Sequence, residues 1–181
     1  MAGRTGPGAA EERKKFELAV LPHLDAAYNL ARWLVRDPAA AEDVTHDAIL
    51  RALKYFPSFR GEDGRAWLLQ IVRNTAWSRL KSSPAGRDIP LGDGEGGGME
   101  VADPAQGPEA ALAARQDVLR LDEALAALPV ELRECLVLCE LERLSYKEIS
   151  RVTGVPIGTV MSRLWRARKA LSRFSEAKAA R

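Results

Sequence analysis

The sequence predicts an all-α protein: two small helical domains joined by a flexible linker, the C-terminal one a helix-turn-helix. Three observations carry this. Alternating Val/Ile/Thr runs do not occur, while Ala, Leu, Arg and Glu dominate the 181 residues, which favours helix over strand. Residues 82–108 hold seven of the chain's 14 Gly and four of its 10 Pro, a composition that cannot bury a core. Residues 145–171 place a short helix, a glycine turn and a basic helix in succession.

The elements follow in order. A first block spans residues 12–81. Its opening helix covers about residues 13–36, with Pro22 as a kink or restart. Asp37-Pro38 starts the next helix, Asp37 as N-cap and Pro38 in the first helical position, and it runs to about Tyr55. Pro57-Ser58 and Gly61 break the pattern. Asp63 or Gly64 begins a helix that reaches Lys81. After the linker of residues 82–108, a second block spans residues 109–174. One helix covers about 109–127, and Pro129 opens another that ends near Leu144. A short helix runs from Tyr146 to Thr153, and Pro156 opens a last one through about Phe174.

Charge is balanced overall, 27 basic against 25 acidic residues, but it is unevenly distributed. Residues 51–81 carry seven basic and two acidic side chains. Residues 82–145 carry five against thirteen, and residues 146–181 nine against two. Two basic blocks flanking an acidic one suggest two anion-binding surfaces, or merely solvated helix faces. No run of 18 apolar residues exists, so no membrane insertion is expected. The N-terminal stretch lacks the apolar core of a signal peptide, so the expected location is cytoplasmic.

In the segment SYKEISRVTGVPIGTVMSRLWRARKAL, Ile149, Val152 and Val155 give the first helix and turn an apolar side. Ile157, Val160, Leu164, Ala167 and Leu171 form the buried stripe of the last helix. Opposite lie Thr159, Ser162, Arg163, Arg166, Lys169 and Arg173. Such a helix fits the DNA major groove, its early side chains at base edges and its later cations at phosphates. Met161 and Trp165 sit between the stripes. Packing is the usual role of a lone Met, and Trp165 either packs or touches DNA. In residues 64–81, Trp67, Leu68, Ile71, Val72, Thr75, Ala76 and Leu80 make a broad apolar face. Gln70, Arg73, Asn74, Trp77 and Lys81 make the other. An aromatic among cations and amides suits unstacked bases; a helix-packing Trp is the plainer alternative.

These segments carry a resemblance. AEDVTHDAILRALKYFPSFRGEDGRAWLLQIVRNTAWSRLK resembles region 2 of sigma factors, and LPVELRECLVLCELERLSYKEISRVTGVPIGTVMSRLWRARKAL resembles region 4. Their order and the short linker resemble the extracytoplasmic-function group. The resemblance implies a promoter-specificity subunit that is not an enzyme and needs no cofactor. It implies that Asp43, His46 and Asp47 dock on RNA polymerase core, His46 standing where relatives commonly have Gln. It implies that the loop from Pro57 to Gly64 opens the -10 element and that Arg73, Asn74 and Trp77 contact its melted strand. Leu68 replaces a second aromatic found in primary sigma factors, which suggests weaker melting. In region 4, Ser162, Trp165 and Arg166 match positions that contact the double-stranded -35 element. Met161 departs from an Arg often found there. Control by an anti-sigma factor is also implied by resemblance alone.

Two other readings compete. One is an activator with a LuxR-like helix-turn-helix and a helical sensor domain. The first block lacks the alternating strands and helices of a receiver domain. The other is a small helical enzyme or redox switch built on Cys135 and Cys139, which share one helix face at i, i+4. No His or third Cys lies nearby for a four-ligand metal site, and buried free Cys is the commoner fate. His23 and His46 are isolated, and no catalytic triad or nucleotide-binding fingerprint is present.

Overall fold

The computed structural model describes residues 7–61, 63–82, 119 and 121–179. Among them every regular element is helical. The linker expected at residues 82–108 lies outside the described residues apart from Ser82, which ends a helix. Of the helix expected at 109–127, residues 119 and 121–126 are described, and these are helical.

The first block is four helices whose ends sit where the punctuating residues demand. α1 (Pro7–Val20) passes through a tight turn, Leu21–His23, that holds Pro22, into α2 (Leu24–Val35). α2 stops at Arg36, which takes a left-handed φ of 59° and returns its N–H to Arg32. α3 (Pro38–Tyr55) starts on Asp37, whose carboxylate accepts from the Ala40 N–H at 2.6 Å. After the turn Phe56–Ser58, α4 (Gly64–Ser82) starts on Asp63, which accepts from the Ala66 N–H at 2.9 Å. Each carboxylate satisfies an N–H that has no partner inside its helix.

α2, α3 and α4 pack on one another around Leu30, Leu34, Val44, Leu68, Leu69 and Val72, all essentially unexposed. Leu69 and Ala66 join the buried face of α4, whereas Trp67, Ile71 and Leu80 are only half-buried. The apolar stripe therefore lies slightly around the helix from where the spacing suggests. Phe16, Phe56, Phe59 and Trp67 stack as neighbours, with ring centroids 4.8 to 6.1 Å apart along the chain of contacts. They tie the loop after α3 to α1 and to the start of α4.

The second block holds α5 (Val130–Leu136), which continues through a wider π-type turn, Val137–Leu141. α6 (Tyr146–Thr153) and α7 (Ile157–Ala179) follow. The one helix expected from Pro129 to about Leu144 is thus interrupted, and it ends earlier. Arg143 takes a left-handed φ of 52°.

The blocks are not independent in space. α5 packs on α2, α6 packs on α4, and one connected set of buried apolar residues runs through both blocks. Ion pairs rim this contact: Arg36–Asp122 at 3.3 Å, Arg65–Glu142 at 2.6 Å, Arg73–Glu134 at 2.6 Å and Arg151–Asp63 at 3.9 Å. Arg133 reaches across as well. Its guanidinium donates to the carbonyls of Leu125, Ala126 and Leu128, and at 3.5 Å to Leu34 in α2. Burial, with Arg36 close by, pushes it down to about 10, so it stays charged at neutral pH.

Gly64 marks the closest approach of backbone to backbone. A Cβ there would run into the Ala19 carbonyl oxygen of α1, far inside van der Waals contact. Gly64→Ala gains helix propensity but forces α1 and α4 apart. Overpacking of this kind costs about 1–3 kcal/mol, so the urea midpoint should fall. An unchanged or higher midpoint would show that α1 moves freely over α4.

Candidate nucleic-acid interface

The helix-turn-helix is built from local chemistry. Ser145 caps α6: its Oγ accepts from the Glu148 N–H at 3.3 Å, and Glu148 accepts from the Ser145 N–H at 2.7 Å. These hydrogen bonds hold the Glu148 carboxyl below its ordinary value, and they satisfy two N–H groups of the first turn. Gly154 ends α6 with φ of 71° and returns its N–H to the Ser150 carbonyl at 2.9 Å. A residue with a Cβ is strained at that φ. Ser150 donates to the Val155 carbonyl at 2.6 Å and fixes the turn.

α7 buries Val160, Leu164 and Ala167 as the spacing predicts. Ile157 departs from the expected stripe and is 44% exposed. It is the first residue of α7 and lies ahead of the turn that meets the core. Met161 is also exposed rather than packed, and Trp165 stands 61% exposed with the Lys169 ammonium 4.7 Å from its ring centre. Ser162, Arg166, Lys169 and Arg173 are exposed, and Thr159 is half-buried. Arg163 differs from the expected outward position. Its side chain turns inward, and Nη1 lies 3.9 Å from Oε2 of Glu134 in α5.

Glu134 is fully buried. Its Oε1 accepts from Arg73 Nε at 2.6 Å and from Trp77 Nε1 at 2.9 Å. The Arg73 guanidinium also sits 5.1 Å from the Trp77 ring centre and donates to the Asn74 side-chain carbonyl at 3.3 Å. Asn74 itself is exposed. The polar face of α4 therefore meets the second block through Arg73 and Trp77, and it leaves Gln70, Asn74 and Lys81 in solvent.

Asp43, His46 and Asp47 are all exposed on α3, opposite the buried Val44, Ala48 and Ala52. Asp43 pairs with Arg79 of α4 at 3.1 Å. Beside them on the same face stand Leu50 and Leu53, 53% and 54% exposed. Helical spacing puts residues 43, 46, 47, 50 and 53 within about a third of the circumference. A second feature lies at the other end of the bundle. A cleft of ≈ 260 Å³ opens between Ser58, Phe59, Arg60, Trp67, Gln70 and, from α6, Arg151.

Residues 19–83 match the family model of sigma-70 region 2, and residues 119–171 match that of sigma-70 region 4. The chain belongs to the sigma-70 family. Among relatives, it is 32% identical over 167 residues to RNA polymerase sigma-H factor of Pseudomonas aeruginosa, covering 90% of this chain and 86% of the relative. It is 32% identical over 168 residues to the ECF RNA polymerase sigma-E factor of Escherichia coli K12, covering 88% of this chain and 86% of that one. This sigma factor also shares its fold with the sigma factor RpoE of Bartonella quintana, solved with the anti-sigma factor NepR. The TM-score is 0.70 at 27% identity, over 90% of this chain and 98% of the other. CnrH, solved with the cytosolic domain of CnrY, shows the same fold at a TM-score of 0.64 and 24% identity, over 93% and 95% of the two chains. It is therefore an extracytoplasmic-function sigma factor, a subunit of transcription initiation, and the activator reading falls.

Sequence reasoning missed Glu134, Arg133, Leu50, Leu53 and the cleft. The aromatic trio Phe56, Phe59 and Trp67 was the available signal for the cleft. Glu134 looks like any acid on an amphipathic helix until its surroundings are known.

Cys135 packs in the core and Cys139 is half-buried. Burial raises both thiols, helped at Cys139 by Glu140 and at Cys135 by Glu134. A raised thiol is a poor nucleophile. The folded protein also keeps those protons when the unfolded chain loses them, so stability should fall as pH rises past the ordinary thiol value. Iodoacetamide at pH 8, followed by mass spectrometry, should label Cys139 slowly and Cys135 only after unfolding. Rapid labelling of Cys135 in the native protein would revive the redox-switch reading.

Proposed function

We propose that this sigma factor binds RNA polymerase core through the exposed face of α3 and reads promoter DNA through α4 and α7, as a stoichiometric subunit and not as an enzyme. It acts in the cytoplasm; among the described residues no helix is long and apolar enough to cross a membrane. The observation that carries the reading is the solvent-facing set Ser162, Trp165, Arg166 and Lys169 on the second helix of a helix-turn-helix. That face has the shape and charge for a major groove. The -35 element is its duplex target, with Thr159 and Arg163 at its margins.

The -10 strand falls to α4 and the loop before it. Arg73, Asn74 and Trp77 offer cations, an amide and a ring along one face. The cleft of Phe59, Trp67 and Gln70 has the size and aromatic wall for an unstacked base. Asp43, His46 and Asp47, with Leu50 and Leu53, form an acidic and apolar patch suited to a basic, partly apolar surface on core polymerase. An anti-sigma factor is proposed as regulator, because the neighbour RpoE was solved with one.

The decisive experiment is run-off transcription with core polymerase on a genomic fragment library, which yields the promoter. On that promoter, Arg166→Ala should weaken binding by about 1–3 kcal/mol and relax specificity at one -35 position. Lys169→Ala should weaken all sequences alike and reduce the salt slope by about one. Neither effect in a titration would remove α7 from the interface.

Charge reversal of the α3 face tests the other half. Asp43→Lys with Asp47→Lys should abolish the complex with core on a native gel, since like charges then meet at the contact. The helical circular dichroism should survive. The lost Asp43–Arg79 pair is exposed at the surface and contributes at most about 1 kcal/mol. Wild type that fails to join core would overturn the proposal. A double variant that joins as well as wild type would move the docking face elsewhere.

A further inference from the structure

Glu134 holds together side chains assigned above to two different DNA elements. Arg73 and Trp77 bind one of its oxygens, and Arg163 faces the other at 3.9 Å. The same docking brings Arg151 to the edge of the α4 cleft, 3.9 Å from Asp63. The -10 surface is thus covered by the second block. The -35 face is not: apart from Arg163 and the half-buried Thr159, its assigned side chains stand in solvent.

A carboxylate offers an arginine and an indole N–H the same kind of anionic oxygen that a DNA phosphate offers. Taking Arg73 and Trp77 as -10 contacts, as proposed above, we infer that the docked second domain is an intramolecular inhibitor. Glu134 stands in for the nucleic-acid backbone and withholds the -10 surface, while the -35 face remains free to bind. Duplex then binds the closed protein directly, and single strand binds only after the blocks part.

The closed state is held largely by charge. Arg36, Arg65 and Arg73 of the first block meet Asp122, Glu142 and Glu134 of the second. Oε2 of Glu134 and Nη1 of Arg163 have no hydrogen-bond partner among the described residues, so the buried cluster is only partly satisfied. A lock of this kind loosens with salt, and any partner that docks the two blocks apart releases it.

The test compares full-length wild type with Glu134→Gln and Asp122→Asn. Small-angle X-ray scattering reads the radius of gyration at low and high salt. Fluorescence anisotropy at one low salt reads binding of an oligodeoxythymidine strand and of a random-sequence duplex. Wild type should be compact at low salt and expand at high salt. Glu134→Gln should be expanded already and bind the strand on the order of tenfold more tightly, because the competent fraction rises. Its duplex affinity should not change. Asp122→Asn, which touches no assigned DNA contact, should shift both readouts the same way by less, and it decides the matter if Glu134→Gln loses its helical signal. Wild type that is expanded at low salt overturns the inference, as do variants that stay compact. Equal tightening on strand and duplex also overturns it, since removing any negative charge would do that. Variants that expand without binding the strand better support the closed state, but overturn Arg73 and Trp77 as strand contacts and with them the competition.

Discussion

A carboxylate removed from water has to be paid for by partners that can reach it, and Glu134 is removed completely. Its desolvation is offset only while Arg73, Trp77 and Arg163 stay around it. Stripping one partner from such a buried pair costs about 3–5 kcal/mol, more than a surface ion pair can contribute. The orientation of α5 on the bundle follows, and with it the positions of Arg65–Glu142, Arg36–Asp122 and the Arg133 contact to Leu34. Even the two left-handed arginines fit this arrangement. Arg36 is itself half of one cross-block pair, and Arg143 follows the Glu142 of another.

The uneven charge of the chain thereby acquires two uses. A basic stretch over residues 51–81 suits nucleic acid, and the acidic stretch that follows supplies Asp122, Glu134 and Glu142 to the same arginines. Binding energy toward DNA and binding energy within the chain draw on shared side chains. α7 is arranged differently: its cations at 166, 169 and 173 face solvent, so only Arg163 is shared.

Local chemistry was legible. Pro22, Asp37-Pro38, Asp63-Gly64 and Gly154 each announce a helix boundary by a rule of backbone or capping, and the helices begin and end there. The helix-turn-helix was readable for the same reason. What could not be read depends on contacts between residues far apart in sequence. Periodicity put Arg163 on an outer face because it cannot see α5. It put Met161 against a neighbour that is not there and Ile157 on a stripe that starts one turn later. The pairing of Arg73 with Glu134 spans 61 residues, and neither residue's immediate neighbours hint at the other. The acids on α3 were visible, but the exposed leucines beside them were not, since an apolar residue in a helix is read as core by default.

The π-type turn at Val137–Leu141 bears on how this chain can change over time. A π turn holds one residue more than the α-helical ladder needs, and each residue of a helix advances the azimuth by about 100°. Deleting one residue there would restore ordinary α-helix and swing everything beyond it by that angle. Glu142 would leave Arg65, and Leu144, now buried, would face away from the core. Substitutions in this stretch alter one contact at a time, whereas a change of length alters the aim of the whole helix-turn-helix. The segment is therefore open to drift in residue identity and closed to insertions and deletions.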